Sequence, residues 1–232
     1  MRLYNAIDRV LLHLADEIVV VAGAHRRLFK KRNVRHIPNA VIQQKTAVAP
    51  RPRQRRDHHP VVAFFGRLSA EKGVSDFAKA LSILSSRGES FSVLVAGDGP
   101  ERSDLEHATR QLGIDANFVG HLPSVTELYH QVDVVVLPSL SEGMPNVLLE
   151  ALASDTPVVA TAVGDVAAIL TDPEAGFLIE PGKPEEIATA IQSALRTGRT
   201  PTGSDARRCI AMRFSVAARV KSLLDLYGRR EA

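Results

Sequence analysis

Short apolar segments that alternate with helical stretches are the sequence feature that most constrains the fold of this chain. Four of them each end at a glycine or a proline, and two more follow: Val61–Phe65, Ser92–Ala96, 117–119, Val134–Leu137, Val158–Thr161 and 177–179. Near-continuous apolar strands are typical of parallel sheets that are buried on both faces. The pattern therefore predicts an α/β fold, a Rossmann-like parallel sheet with helices on both faces.

Helical stretches are predicted between and after these strands, at 75–86, 101–112, 125–131, Asn146–Ala153, 166–170, 184–195 and, as one long C-terminal region, 205–227. In sheets of this kind, ligands bind beyond the carboxyl ends of the strands. Candidate functional residues are therefore expected directly after the strands.

Composition divides the chain into three parts. Residues 1–45 show the order helix, strand, helix, strand (3–14, 18–22, 25–31 and 34–37), which is too little for a domain and predicts the remnant of one. Residues 46–60 carry three prolines and a charge run without an apolar period, which predicts a basic linker. Residues 61–232 are predicted to form a complete domain.

Charge is distributed unevenly between these parts. Residues 1–60 hold 13 Lys or Arg against 4 Asp or Glu, whereas residues 61–232 hold 16 against 22. The basic part is compatible with an anionic lipid surface, an acidic partner or another portion of the same protein. Nucleic acid is disfavoured, because no aromatic side chain interleaves with the linker arginines to stack on bases.

Several classes of protein are excluded. No apolar run approaches the roughly 20 residues of a transmembrane helix, and charged residues interrupt any signal-peptide core near the N-terminus. The lone Cys209 rules out a disulfide framework, and the histidines lack the shared spacing of a metal site. These features favour a cytoplasmic protein without a metal.

The segment GRLSAEKG (66–73) follows the first strand of the predicted domain and carries two cations. A planar Arg fork and a mobile Lys ammonium suit a diphosphate, so Arg67 and Lys72 are candidate phosphate-binding residues. A solvated loop is the alternative interpretation of the same charges. After the second strand, Gly97 either lets the backbone approach a ligand closely or simply closes a tight turn.

The segment SEGMPNVLLEA (141–151) follows the fourth strand. Glu142 precedes a predicted helix N-terminus, whose free N–H groups can hold an anion or a sugar hydroxyl. Glu150 lies inside an otherwise apolar helix, where a carboxylate needs hydrogen-bond partners, and it shares a helix face with Asn146. Both carboxylates could accept hydrogen bonds from vicinal hydroxyls of a ribose or hexose. An ordinary loop acid at Glu142 and a partly exposed helix surface at Glu150 are the alternatives.

Taken together, GRLSAEKG, VLVAGDGP, FVGHL and DVVVLPSLSEGMPNVLLEALASDTPVVAT, in this order and spacing, closely resemble the donor-binding domain of retaining family 4 (group 1) glycosyltransferases. The resemblance covers residues 61–228, and residues 16–41 resemble the end of that family's first domain. It implies a GT-B fold, of which this chain would hold the C-terminal half and the tail of the N-terminal domain. It also implies transfer of a sugar from a nucleoside diphosphate sugar with retention, without a metal or other cofactor.

The resemblance assigns roles to individual residues. Arg67 and Lys72 would bind the donor diphosphate and stabilise charge on the departing nucleotide, and Glu142 would contact the donor sugar. Leu122 would border the base, and Glu150 would accept the ribose hydroxyls. The other implied donor-binding residues are Gly66, Gly97, Gly143, Met144, Pro145, Asn146 and Val147.

The implied partners are a nucleotide-sugar donor, an acceptor glycan or lipid-linked sugar and a separate N-terminal domain, in polysaccharide or glycolipid biosynthesis. A peripheral position at the inner membrane face would suit the basic N-terminal part. The alternative function is a non-catalytic nucleotide-sugar-binding module, or a fragment that needs a partner domain.

Overall fold

A six-stranded parallel sheet forms the centre of the molecule. The computed structural model describes residues 15–29, 33–41 and 59–228. Two short strands come first, and the six strands of the central sheet follow: β1 (Ile18–Val20), β2 (Val34–His36), β3 (Val61–Phe65), β4 (Ser92–Ala96), β5 (Ala116–Gly120), β6 (Val134–Leu137), β7 (Val158–Thr161) and β8 (Gly176–Ile179). The central strands lie in the order β5-β4-β3-β6-β7-β8, with every neighbouring pair parallel. This confirms the predicted Rossmann-like sheet.

Helices connect the strands and cover both faces of the sheet. The α-helices are α1 (Val74–Ser86), α2 (Arg102–Gln111), α3 (Asn146–Ala153), α4 (Val166–Ile169), α5 (Pro184–Thr197), α6 (Pro201–Arg213) and α7 (Val216–Gly228). The stretches predicted as helical at 25–31 and 125–131 contain the 3-10 helices Gly23–Leu28 and Thr126–His130 instead of α-helices. The helix predicted at 3–14 lies outside the described residues.

The C-terminal region consists of two helices, not one continuous helix over 205–227. Helix α6 begins four residues earlier than predicted, where the Thr200 hydroxyl accepts a hydrogen bond from the Gly203 amide at 3.0 Å. Between α6 and α7, the Phe214 carbonyl accepts a hydrogen bond from the Val41 amide at 2.8 Å. Pro201 and Gly203 resemble helix breakers in the sequence, but a proline in the first helical turn costs no intrahelical hydrogen bond.

Apolar side chains fill both faces of the sheet. Along β3, Val62 and Phe64 join the cluster that contains residues of α1 and α5, whereas Ala63 and Phe65 join the cluster that contains residues of α3 and α6. This is the two-residue alternation of a strand. Because helices cover both sides, the strand remains apolar at every position and shows no polar alternation in its sequence.

Residues 15–29 and 33–41 pack on the domain formed by residues 59–228. The parallel pair β1–β2 forms their core. The Gly23 amide donates to Asp165 Oδ2 at 2.7 Å, and Arg219 Nη1 donates to the Pro38 carbonyl at 2.8 Å. The division into 1–45, 46–60 and 61–232 stays a prediction, since most of the linker lies outside the described residues.

Among the helices of the described ranges, none has the length and apolar character needed to cross a membrane.

Candidate functional site

An open cleft lies at the carboxyl ends of β3 and β6, the two central strands. The chain leaves β3 toward β4 and leaves β6 toward β7, so the two connections run toward opposite edges of the sheet. Doubly wound sheets bind their ligands at such a switch point. The cleft lining includes several of the predicted site residues: Gly66, Lys72, Glu142, Pro145, Asn146 and Val147. Two distant segments of the sequence thus meet at one place.

Lys72 reaches the cleft from the loop after β3. The 3-10 helix Ala70–Lys72 ends at Gly73, whose φ of 70° lies in the left-handed region. A Cβ at Gly73 would lie 1.9 Å from the Pro138 carbonyl oxygen, so the loop can pack on the end of β6 only with a glycine here. This packing brings Lys72 Nζ to 2.7 Å from Glu142 Oε1.

Glu142 is the best-anchored polar side chain in the cleft. Its Oε1 accepts hydrogen bonds from Lys72 Nζ and from Ser139 Oγ, both at 2.7 Å. Ser139 is itself held, because Thr161 Oγ1 at the end of β7 donates to the Ser139 carbonyl at 2.5 Å. The Glu142 carboxylate is therefore held by Lys72 and Ser139, and Ser139 is held by Thr161. These three residues lie at or beyond the ends of three neighbouring strands, β3, β6 and β7.

Six of the predicted residues lie outside the cleft lining: Arg67, Gly97, Leu122, Gly143, Met144 and Glu150. Arg67 is exposed, and Leu122 is half-buried two residues beyond β5. The Gly97 amide donates to the Gly120 carbonyl at 2.8 Å, and a Cβ at Gly97 would lie 1.8 Å from the Gly66 carbonyl oxygen. The close approach that Gly97 permits in the structure is thus an approach to the neighbouring loop.

Residues 143–147 lead into α3 and form its first turn. Pro145 occupies the N-cap without a side-chain cap, so the first amides of α3 have no intrahelical acceptor.

Met144 is buried, and its Sδ accepts a hydrogen bond from the Asn39 amide at 3.0 Å. The exposed Asn146 accepts one from Asn39 Nδ2 at 2.9 Å through its Oδ1, and the Gly143 carbonyl accepts one from the Asp165 amide. Asn39, which lies outside the domain formed by residues 59–228, therefore supports the helix start.

Glu150 has the hydrogen-bond partner that a carboxylate in an apolar helix requires. Its Oε2 accepts from the Tyr129 hydroxyl at 2.9 Å. Burial raises the pKa of the Glu150 carboxyl, an effect that the Tyr129 hydrogen bond partly offsets. Burial also raises the pKa of Tyr129, which keeps its hydroxyl available as a donor. Glu150 lies one turn beyond Asn146 and outside the cleft lining.

Substitution Glu150→Gln is expected to stabilise the protein at neutral pH, by about 1 kcal/mol, and to lose this advantage in acid. The folded state favours the protonated carboxyl, so ionisation costs folding free energy that sets in as the pH rises above the ordinary value of 4.5. The substituted glutamine would be neutral at all pH values and could still accept from Tyr129. Urea unfolding of both proteins between pH 4 and 7 measures the difference, with the exposed Glu174→Gln as control. A difference that shrinks as the pH rises would contradict the assignment.

The residues that hold the site together leave little signal in the sequence. Ser139 follows β6, Thr161 ends β7, and Tyr129 lies in the 3-10 helix Thr126–His130 that precedes β6. Asn39 and Asp165 lie in short loops. Polar residues at the carboxyl ends of strands β6 and β7 are the one indication that the sequence contains. Their partners depend on the strand order, which sequence periodicity does not determine.

Positive charge near the cleft comes from Lys72 and, in the same loop, from Arg67. Across the described ranges, no group of three or more His, Cys, Asp or Glu side chains is arranged to hold a metal ion. The arrangement offers one ammonium, one anchored carboxylate and a helix N-terminus within a single cleft. Such a set can bind an anion and a hydroxyl-bearing group side by side.

Two curated glycosyltransferases are similar in sequence to this chain. The 2-deoxystreptamine glucosyltransferase of Streptomyces kanamyceticus is 31% identical over 171 residues, which cover 68% of this chain and 44% of that protein. The D-inositol 3-phosphate glycosyltransferase of Mycobacterium marinum is 30% identical over an alignment of 244 positions, covering 96% of this chain and 50% of that protein. The chain thus spans about half the length of these curated relatives.

Among solved structures, the Anabaena protein HepE in complex with UDP superposes with a TM-score of 0.80 at 24% identity, covering 93% of this chain and 64% of that one. This likeness supports the expected GT-B type of fold. The family model described as Glycosyl transferases group 1 matches residues 59–197, more than half of the chain. The chain belongs to the group 1 glycosyl transferases.

Proposed function

We propose that this chain binds a nucleoside diphosphate sugar in the cleft between β3 and β6 and supplies the donor site of a retaining glycosyltransferase. The observation that carries the proposal is the meeting of Lys72 and Glu142 at the switch point of the sheet, beside the N-terminus of α3. The glucosyltransferase name of one relative and the UDP complex of a structural neighbour support the same ligand class. The acceptor would be a glycan or a lipid-linked sugar.

The donor diphosphate would lie against Lys72, with Arg67 adding a second cation from the same loop. The amides at the start of α3 that lack an intrahelical acceptor would face the phosphate or the sugar. Glu142 would accept a sugar hydroxyl through Oε2, because Oε1 already has two donors. Glu150, oriented by Tyr129, would accept the ribose hydroxyls.

In the proposed reaction, the bond between the anomeric carbon and the β-phosphate oxygen breaks, and the diphosphate leaves with the electron pair. The acceptor oxygen forms the new bond to the anomeric carbon on the same face, and its proton passes to the departing diphosphate oxygen. Negative charge grows on the diphosphate in the transition state, where Lys72 and Arg67 would stabilise it. These two cations would supply the stabilisation of the leaving diphosphate, so we propose no metal or other cofactor.

Calorimetry on the full chain with UDP, GDP and ADP, and then with the glucose conjugate of the tightest binder, tests donor binding. Binding of one diphosphate is expected, and the absence of binding by all three would refute the proposal. Release of the diphosphate in the presence of candidate acceptors tests transfer, and NMR of the product's anomeric proton tests retention. Binding without transfer would favour the alternative function, a nucleotide-sugar-binding module.

Arg67→Ala is expected to weaken binding of the nucleoside diphosphate by about three- to tenfold, since exposed cations are screened by solvent. The corresponding nucleoside without phosphate should bind equally well to both proteins. Calorimetry with the two ligands separates these contributions. Equal losses for both ligands would mean that the loop is structural and does not contact phosphate.

A further inference from the structure

We infer that Glu142 opposes the binding of a free diphosphate, because it holds in an ion pair the ammonium group that the diphosphate requires. The inference rests on the proposed function and adds to it a means of discriminating the sugar-bearing donor from the spent nucleotide. Glu142 would thus determine specificity, in addition to any contact with the sugar.

The ion pair is formed within the cleft itself. Lys72 Nζ lies 2.7 Å from Glu142 Oε1, and both residues line the same cleft. The Glu142 side chain is 9% exposed and that of Lys72 is 30% exposed. A carboxylate this well shielded from water interacts strongly with any second anion placed beside it.

The carboxylate is not free to swing away when an anion arrives. Ser139 Oγ donates to the same oxygen that Lys72 contacts. Ser139 is buried, and its carbonyl is held by the buried Thr161. Lys72 has the longer and more mobile side chain, so Lys72 is the partner that moves toward a diphosphate.

The cost of this arrangement depends on the ligand. A free diphosphate draws Lys72 away and leaves Glu142 facing a second anion with only the Ser139 hydroxyl as a donor. A sugar-bearing donor brings a hydroxyl group that can donate to Glu142 and replace the lost ammonium. After transfer the sugar is gone, the repulsion returns, and the ion pair reforms as the nucleoside diphosphate leaves.

Inorganic pyrophosphate is a suitable probe, since it carries the diphosphate without a base or a sugar. Calorimetry on the full chain is expected to give about three- to tenfold tighter pyrophosphate binding for Glu142→Gln than for the wild type. The control Glu174→Gln removes the same charge near the start of β8, at the opposite end of the strands, and should leave the affinity unchanged. Glu142→Asp keeps the charge but retracts the carboxylate, so its gain should be smaller than that of Glu142→Gln.

Three outcomes distinguish this inference from the function on which it rests. Unchanged or weaker pyrophosphate binding by Glu142→Gln, while Lys72→Met still weakens binding, would overturn the inference and leave the donor site in place. A gain of equal size in Glu174→Gln would reduce the effect to overall charge and would also overturn the inference. Pyrophosphate binding that is insensitive to Lys72→Met would instead refute the proposed diphosphate site.

Discussion

Lys72→Met is expected to weaken the binding of a nucleoside diphosphate by about 10- to 100-fold. A hydrogen bond to a charged group contributes about 1.5–3 kcal/mol, and each 1.4 kcal/mol corresponds to a factor of ten in the dissociation constant. The loss has two physical causes. The ammonium disappears, and the Glu142 carboxylate, 9% exposed, keeps its charge without a counter-ion beside the incoming phosphate. Methionine preserves most of the aliphatic stem of the side chain, so packing changes little.

The double variant Lys72→Met/Glu142→Gln separates these two causes. It removes the stranded carboxylate and should recover part of the lost affinity, whereas additive losses would show that the two side chains act independently. Lys79→Met makes the same chemical change on the exposed side of α1, where Lys79 lies 3.6 Å from Asp76, and serves as the matched control. Calorimetry with the diphosphate of the preferred base measures all these proteins. A loss in Lys79→Met as large as that in Lys72→Met would refute the specific role of Lys72.

The sheet could be predicted from sequence because its determinants are local. The inner strands of the sheet, such as Val134–Leu137, are apolar almost throughout, and their buried residues pack on both faces. The candidate site was predictable at the level of its charged residues, since the carboxyl ends of parallel strands meet at one edge. Lys72 and Glu142 lie 70 residues apart in sequence, and both do lie at that edge.

The parts that could not be predicted depend on long-range contacts. The break between α6 and α7 coincides with a hydrogen bond from Val41, a residue that is distant in sequence. The orientation of Glu142 depends on Ser139 and Thr161, whose neighbouring positions follow from the strand order. No periodicity within a single segment encodes either contact.

The same distinction applies to Gly97, where sequence allowed both an approach to a ligand and a turn. In the structure, position 97 requires glycine because two loops of the protein contact each other there. Loops after β3 and β4 continue the hydrogen bonding of the sheet, with the Gly66 amide donating to the Ala96 carbonyl at 2.9 Å. Gly97 lies between these loops at a φ of 140°, a conformation that L residues rarely adopt.

Gly97→Ala is therefore expected to destabilise the folded chain by about 3 kcal/mol or more, at the upper end of effects for single substitutions. The new Cβ would lie 1.8 Å from the Gly66 carbonyl oxygen and 2.8 Å from its carbon. Neither loop can move aside without breaking a hydrogen bond, because the Gly66 amide is bound to Ala96 and the Gly97 amide to Gly120. Urea unfolding of the full chain measures the loss, provided that the slope of the transition is unchanged.

Gly113→Ala is the matched control for the backbone conformation alone. Gly113 follows α2 at a φ of 64°, and a Cβ there would meet no atom within 4 Å. Its substitution should cost only the left-handed backbone strain, about 1–2 kcal/mol. If both variants lose the same free energy of unfolding, the contact between the loops after β3 and β4 contributes nothing, and position 97 requires glycine only for its backbone angle. A clearly larger loss in Gly97→Ala, accompanied by weaker diphosphate binding, would show that the two loops support each other and, through Gly66, the wall of the cleft.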